Sequence, residues 1–319
     1  MDIEIKKKDG TKYKLSDFGF RVKDVVIESM EIEDNYETKE NTSGRMLLSS
    51  QYRKRKITVP CYVYSTKLND IPRLRDEFYN LTVDTEVVWL RELRKRKPKN
   101  YRFIEPTEED FQEYDEYDNP IYDHDEFGDD YYVSGKQYQV KCSAPIVPEQ
   151  KGRYIHFELE FETEEIPFAE SIGTSLDLEN RPDKELWSND MLIPFDEMDY
   201  TRMFTFTNVY NNSIYYHGNV PNDEFKLYKK VTLVLGENIK AKEKFYFTCG
   251  VLSDVMTIKG IDLKKGDVIV YDGVQTFRNG VPINNEASNA QPKFKPGWND
   301  FRFSHLVKTA KFDMKFYYK

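Results

Sequence analysis

Between Lys264 and Phe303 the chain reads KKGDVIVYDGVQTFRNGVPINNEASNAQPKFKPGWNDFRF, and its punctuation leaves few folds open. Asp267–Tyr271 is a short run of apolar, β-branched and aromatic bodies after Asp267, Asp272-Gly273 offers a tight turn, Val274–Arg278 returns, and Asn279-Gly280 turns again into Val281–Ile283. Asp-Gly and Asn-Gly dipeptides accept the positive φ that short hairpins demand, so two of them this close together predict consecutive antiparallel strands. Lys295-Pro296-Gly297-Trp298 then presets φ at Pro and places Gly where φ must be positive, as in a type II turn, before a strand at Asn299–Ser304. Gly266, Asp267, Asn279, Gly280, Pro296, Gly297 and Asn299 are read as the structural residues of this meander.

The remaining patterns point the same way. Ile3 and Ile5 mark a first strand, and Val22, Val25, Ile27 and Ile32 mark a second without strict period. Glu33–Ser50 reads as a long loop or an extended hairpin. Ile57, Val59, Cys61 and Val63 share one strand face, and Pro60 within that run, lacking a ladder donor, predicts a sheet edge or a bulge. Ile155, Phe157, Leu159 and Phe161 alternate strictly with charged neighbours, which predicts a half-buried strand paired with Lys136–Ser143. Glu86–Leu93 and Tyr101–Ile104 look like two arms of a hairpin. One helix is expected, at Ile71, Leu74, Phe78 and Leu81, capped at Asn69 or Asp70, with Pro72 in its first turn. Beyond Thr201, short strands at Met203–Val209, Phe225–Leu235, Phe245–Cys249, Val255–Ile258 and Phe312–Tyr318 predict a β-sandwich or partly open barrel.

A chain of 319 residues suggests two domains. Residues 171–200 are polar, contain Pro and are only weakly periodic, so 1–170 and 201–319 are the expected units with 171–200 as linker. The overall class is mainly β: an N-terminal sandwich with one short helix and extended hairpin arms, then a C-terminal sandwich. Three scattered cysteines supply neither a disulfide framework nor a zinc site. Met1–Gly10 is charged and no apolar run reaches membrane-spanning length, so neither a signal peptide nor a membrane anchor is expected.

The net charge of -9 is localised: Glu105–Asp130 carries 13 carboxylates and no Lys or Arg, leaving the rest of the chain net positive. Within that insertion Asp123–Gly128 begins like an EF-hand loop, but Phe127 and Ser134 stand where oxygen ligands belong, so no metal site is assigned. No carboxylate pair is singled out for glycoside hydrolysis. The basic run at Arg91, Arg94, Lys95, Arg96, Lys97, Lys99 and Arg102 could engage phosphates, but beside an acidic arm it is better explained by pairing with that arm or with another copy; nucleic acid is not expected. The four histidines are dispersed, and no nucleophile elbow, phosphate loop or zincin motif occurs. No catalytic residue and no cofactor are assigned. Tyr210, Tyr215, Tyr216 and Trp298 could stack on sugars, or simply pack a strand face.

The ordered series Gly266-Asp267, Asn279-Gly280 and Pro296-Gly297-Trp298-Asn299 before a late strand resembles the C-terminal domain of siphophage distal tail proteins. The Gly44-Arg45 loop, the strand led by Tyr52 and Arg53, the short helix and Ile166–Ser171 resemble the N-terminal domain of that family. Glu170–Ser175 and Trp187 are similar to the interdomain segment of members from phages of Gram-positive hosts. The resemblance covers nearly the whole chain and departs from the family at 105–132, which is longer here. It implies a hexameric ring built from the N-terminal domain, which joins tail tube to tip or baseplate, and a galectin-like or carbohydrate-module-like C-terminal sandwich projecting outward. It further implies a virion protein of the tail tip, assembled in the host cytoplasm, whose partners are its own copies, the tail tube protein, tail-tip, tail-associated and tape-measure proteins, and a receptor-binding protein. For the arms that reach a neighbouring copy the candidates are Gly44 and Arg45, Arg94, Arg96 and Lys97, and Asp110, Asp115 and Asp118. The competing reading is a carbohydrate- or receptor-binding module acting on wall glycans, and an enzyme stands third.

Overall fold

The structure is a computed structural model that describes residues 1–38, 43–93, 134–180, 186–194, 200–250 and 254–319. In the N-terminal half the strands are β1 (Asp2–Lys6), β2 (Lys12–Lys14), β3 (Arg21–Val22), β4 (Val26–Ile27), β5 (Ile32–Glu37), β6 (Met46–Tyr52), β7 (Lys56–Tyr64), β8 (Val88–Leu93), β9 (Lys136–Cys142), β10 (Glu149–Lys151), β11 (Tyr154–Thr163) and β12 (Ala169–Ser171). They form a curled sheet in the order β2-β1-β8-β9-β11-β7-β3, with β4 continuing beside β7 and β5 and β6 standing apart as a two-stranded hairpin.

The alternation in the sequence becomes the core. Ile57, Val59, Cys61 and Val63 on β7 face inward beside Ile155, Phe157, Leu159 and Phe161 on β11, none more than 3% exposed. Helix α1 (Ile71–Thr82) covers this face: Phe78 stacks on Phe157 at 4.0 Å and leans on Phe20 at 4.8 Å. Burying one such ring contributes roughly 1.5–3 kcal/mol. Pro60 lies neither at a sheet edge nor in a bulge. Its carbonyl accepts the Lys23 N–H at 2.9 Å, and its missing donor falls where the neighbouring strand is interrupted between β3 and β4. The irregular period of Val22–Ile32 has the same origin, since that segment divides among β3, β4 and the start of β5.

Strands β13 (Thr205–Tyr216), β14 (Lys229–Leu235), β15 (Phe245–Cys249), β16 (Met256–Ile258), β17 (Val268–Tyr271), β18 (Thr276–Arg278), β19 (Val281–Pro282) and β20 (Gly297–Met314) build a second curled sheet in the order β16-β15-β20-β14-β17-β18-β19, with β13 on the other edge of β20. The 18-residue β20 is its spine. Its first part pairs with β13 and β15, its second with β13 and β14, and register shifts on the way let it bend across the fold. The buried positions change phase at the bend, from Asn299, Phe301 and Phe303 to Ala310, Phe312 and Met314. That phase change is why the sequence reads as two separate strands where one continuous strand exists.

The halves are stitched together. Strand β21 (Tyr317–Tyr318) pairs with β12, and β12 pairs with β9. The connecting residues pack as well: helix α2 (Ser175–Asn180) buries Leu178, and Trp187 is 2% exposed with its ring 5.9 Å from Phe316. A Cβ at Gly173 would stand 2.8 Å from that indole, so the glycine is required by the close approach.

Candidate assembly and binding surfaces

The arm formed by β5 and β6 is the most exposed element described. Ile32, Met46, Leu47 and Leu48 are each more than half exposed. Its ladder is antiparallel with one irregularity between Asn35 and Tyr36, and Asn35 Nδ2 donates to Ser49 Oγ at 3.0 Å. Gly44 adopts φ 98°, and the next residue, Arg45, lays its guanidinium 3.7 Å from the Tyr36 ring centre. At the base Arg53 pairs with Glu33, Tyr52 packs edge-on against Phe168, and Lys319 Nζ donates to Tyr52 Oη at 3.0 Å. Met30 packs into a small cluster of Ile166, Phe168, Val220, Leu227 and Tyr317. The arm therefore springs from the seam between the halves. An isolated two-stranded hairpin is marginal in water, and apolar side chains on both its strands give it a surface that a partner can bury.

Of the remaining candidate arm residues, Arg94, Arg96, Lys97, Asp110, Asp115 and Asp118 lie outside the described residues, as does the potential EF-hand segment.

At the seam the chain buries polar groups. Glu170 Oε1 accepts from Trp89 Nε1 at 3.1 Å, Gln137 Nε2 at 2.7 Å and Lys315 Nζ at 2.8 Å, and the residue is 3% exposed. Ser171 Oγ accepts the Phe316 N–H and donates to Gly173 O, while Ser175 Oγ accepts the Met314 N–H and donates to Phe312 O. Glu179 accepts from the N–H groups of Phe204 and Thr205. Sequence reasoning singled out Glu170–Ser175 but not its partners Trp89, Gln137 and Lys315, because nothing local to them announces a contact 81, 33 or about 145 residues away along the chain.

The meander residues meet in space. Asp267 Oδ2 accepts the Lys264 N–H at 2.8 Å and the Arg278 guanidinium at 2.6 Å, and its Oδ1 accepts Asn279 Nδ2 at 2.8 Å. Burial pushes this carboxyl up, but the Lys264 N–H, Asn279 and Arg278 outweigh it and hold it below its ordinary value. Asn279 and Gly280 both take positive φ, 49° and 81°, as a two-residue hairpin requires, and Gly266 takes 93°. Asp272-Gly273 differs: the link is a four-residue loop in which Asp272 Oδ1 accepts the N–H groups of Val274 and Gln275. Only Gly273 there has positive φ, because the aspartate side chain supplies the closure. Gly297 takes φ 83° after the exposed Pro296, and the buried Asn299 amide ties that turn through Lys295 and Gly297 carbonyls.

The described residues contain no group of three side chains able to hold a metal ion. Cys61 and Cys249 are buried, which pushes both thiols up, Cys61 to about 12, and removes nucleophilic character at neutral pH. Of the aromatics considered for sugar stacking, Tyr216 is 1% exposed and belongs to the core, whereas Tyr210 and Trp298 are about half exposed at 50% and 47%.

Residues 8–163 match a family described as the phage tail protein RIFT-related domain. The chain is similar in fold to the Dit protein of phage SPP1, described as a paradigm of hub adsorption apparatus in Gram-positive infecting phages, with TM-score 0.59 and 11% identity over 98% of this chain and 99% of that one. A chain of the phage P2 baseplate in its activated conformation with Ca aligns over 99% of this chain and 97% of its own, with TM-score 0.34 and 8% identity. No curated protein matches.

Proposed function

We propose, from the match of residues 8–163 to the phage tail protein RIFT-related domain family, that the chain is a non-enzymatic hub of a phage tail tip that closes with further copies of itself into a ring. Six copies are the expected number. In this reading residues 1–170 form the ring body, 171–200 the connection and 201–319 an outward module. The ring joins tail tube to tip or baseplate, contacts tail-associated and tape-measure proteins and a receptor-binding protein, and resides in the virion after assembly in the host cytoplasm.

The exposed arm of β5 and β6 is the observation that carries the proposal. A closed ring needs a heterologous interface in which one surface of each copy meets a different surface of the next. Among the described residues no further strand pairs with the outer edges of β5 and β6, and the arm offers those edges and its apolar side chains to that contact. The test is the particle mass of the purified chain at micromolar concentration, with negative-stain imaging: rings are expected, and a strictly monomeric mass without rings overturns the reading.

A further inference from the structure

We infer that the outer face of β13, β15 and β20 is a binding site for a neutral saccharide. This goes beyond ring formation and does not depend on it.

On this face three strands place side chains in register. Thr248 on β15, Arg302 on β20 and Asn211 on β13 form one row, Asp300 and Ser213 the next, and Trp298 and Tyr215 the third. Rows two residues apart on one strand lie about 7 Å apart, and neighbouring strands about 4.8 Å apart, so these groups are spread over an area of the size of one or two sugar rings. Two adjoining depressions open here, of about 480 and 450 Å3, sharing Asn212 and Ser213. The first is walled by Tyr200, Met203 and Trp298, the second by Asn211, Thr248, Asp300 and Arg302. Both volumes fall in the range of small-molecule sites.

Three observations select the ligand class. Among the described residues, none takes up a side-chain hydrogen bond from Asn211, Thr248 or Arg302, so an exposed amide, an exposed guanidinium and the partly buried Thr248 hydroxyl line the depression with their capacity unspent. Ser213 Oγ donates to Asp300 Oδ1 at 2.5 Å, leaving that carboxylate's other oxygen as an acceptor for hydroxyls. Trp298 is 47% exposed, and Tyr215 meets its ring edge-on at 5.3 Å and 84°, which fixes the indole plane before any ligand arrives.

A flat apolar ring beside spaced hydrogen-bonding groups suits a sugar, whose C–H face is apolar and whose rim is hydroxyl. Asp300 and Arg302 cancel in charge, which disfavours a polyphosphate or a polycation. Among the described residues no strand pairs with the outer edge of β13; a peptide added there by backbone pairing would leave these side chains unused.

The experiment is fluorine NMR of the full chain labelled with fluorotryptophan, titrated with glucose, galactose and N-acetylglucosamine and with linear oligosaccharides of each. The chain holds three tryptophans, of which Trp187 is buried and Trp89 donates to Glu170, so Trp298 is the reporter. A saturable shift of the Trp298 resonance with at least one of these saccharides is expected, weakened about tenfold or more in Arg302→Ala and in Asn211→Ala, as loss of a charged or neutral hydrogen bond to ligand requires. Both substitutions are on exposed side chains, and unchanged resonances of Trp89 and Trp187 verify the fold. Two outcomes overturn the inference: no Trp298 shift with any of these sugars, or a shift equally strong in both variants. A Trp298 resonance that moves only on self-assembly, and not with sugar, assigns the face to protein contact and also overturns it.

Discussion

The seam and the arm are opposites in what they do with polarity. At the seam the protein buries charge and satisfies it: the Glu170 carboxylate has three donors on one oxygen. On the arm Ile32, Met46, Leu47 and Leu48 remain in water. Buried polar groups and exposed apolar ones are the two departures from ordinary burial that carry information. The first marks a contact completed within one copy, where geometry must be exact because removing either partner strands the other. The second marks a contact for which one copy supplies only half.

That contrast can be broken most decisively at Glu170. Glu170→Leu strands the Lys315 ammonium and the Trp89 and Gln137 donors, and a loss of about 3–5 kcal/mol is expected. Denaturant unfolding measures it, and pairing the change with Lys315→Met should recover part of the loss. A loss below about 1 kcal/mol would reduce the seam to a solvated ion pair. Gly173→Ala sharpens the same side. Its Cβ would meet the Trp187 ring at 2.8 Å, so about 1–3 kcal/mol of overpacking strain is expected, visible in the same unfolding curves.

A third prediction concerns a buried charge near the seam. Burial pulls the Lys229 amine down to about 8, while its acceptors are the Asn222 carbonyl and Oδ1 and the Glu224 carbonyl. In the unfolded chain a lysine keeps its proton to about pH 10.4. Between these values the unfolded state binds more protons, so stability rises with pH, by at most about 1.4 kcal/mol per pH unit from this group. Above about pH 10 unfolded tyrosines ionise first, and folded ones such as the partly buried Tyr13, pushed up to about 12 by desolvation, reverse the trend. Subtracting the stability of Lys229→Met from that of the parent between pH 8 and 9.5 should leave this rising slope; a flat difference refutes it.

The smallest stability effect belongs to the arm. Leu47→Ser with Leu48→Ser should change single-copy stability by no more than about 0.5 kcal/mol, yet weaken ring formation measured by particle mass. Substantial unfolding of the single copy would place those leucines in the protein's own core and erase the contrast. A related assembly test acts on charge: neutralising the carboxylates of Glu105–Asp130, or raising salt, should weaken association if that segment pairs with basic surface.

Strict alternation at Ile155–Phe161 and helical spacing at Ile71–Leu81 were legible in the sequence because burial on one face writes a period into the residues. The meander was legible for another reason: Asn279-Gly280 and Pro296-Gly297 require backbone angles few other residues adopt. What stayed hidden depends on partners remote in the chain. Lys315 and Trp89 carry no local sign that they share Glu170, and the bend in β20 erases its own periodicity. Among surface candidates, Gly44 and Arg45 sit on an exposed arm, but the row of Asn211, Thr248 and Arg302 exists only after three strands are laid side by side.

The bonds between Ser171 and Phe316 span 145 residues of chain. During synthesis at about 5–20 residues per second, β12 emerges and then waits on the order of ten seconds for the strand that covers it. Throughout that interval the edge of β12 and the apolar cluster around Phe168 stand open to chaperones and to stray strands alike. The seam is therefore a timing device by consequence: the surface from which the arm springs is completed only when the second sheet has arrived, so copies caught midway through synthesis present an arm without its footing.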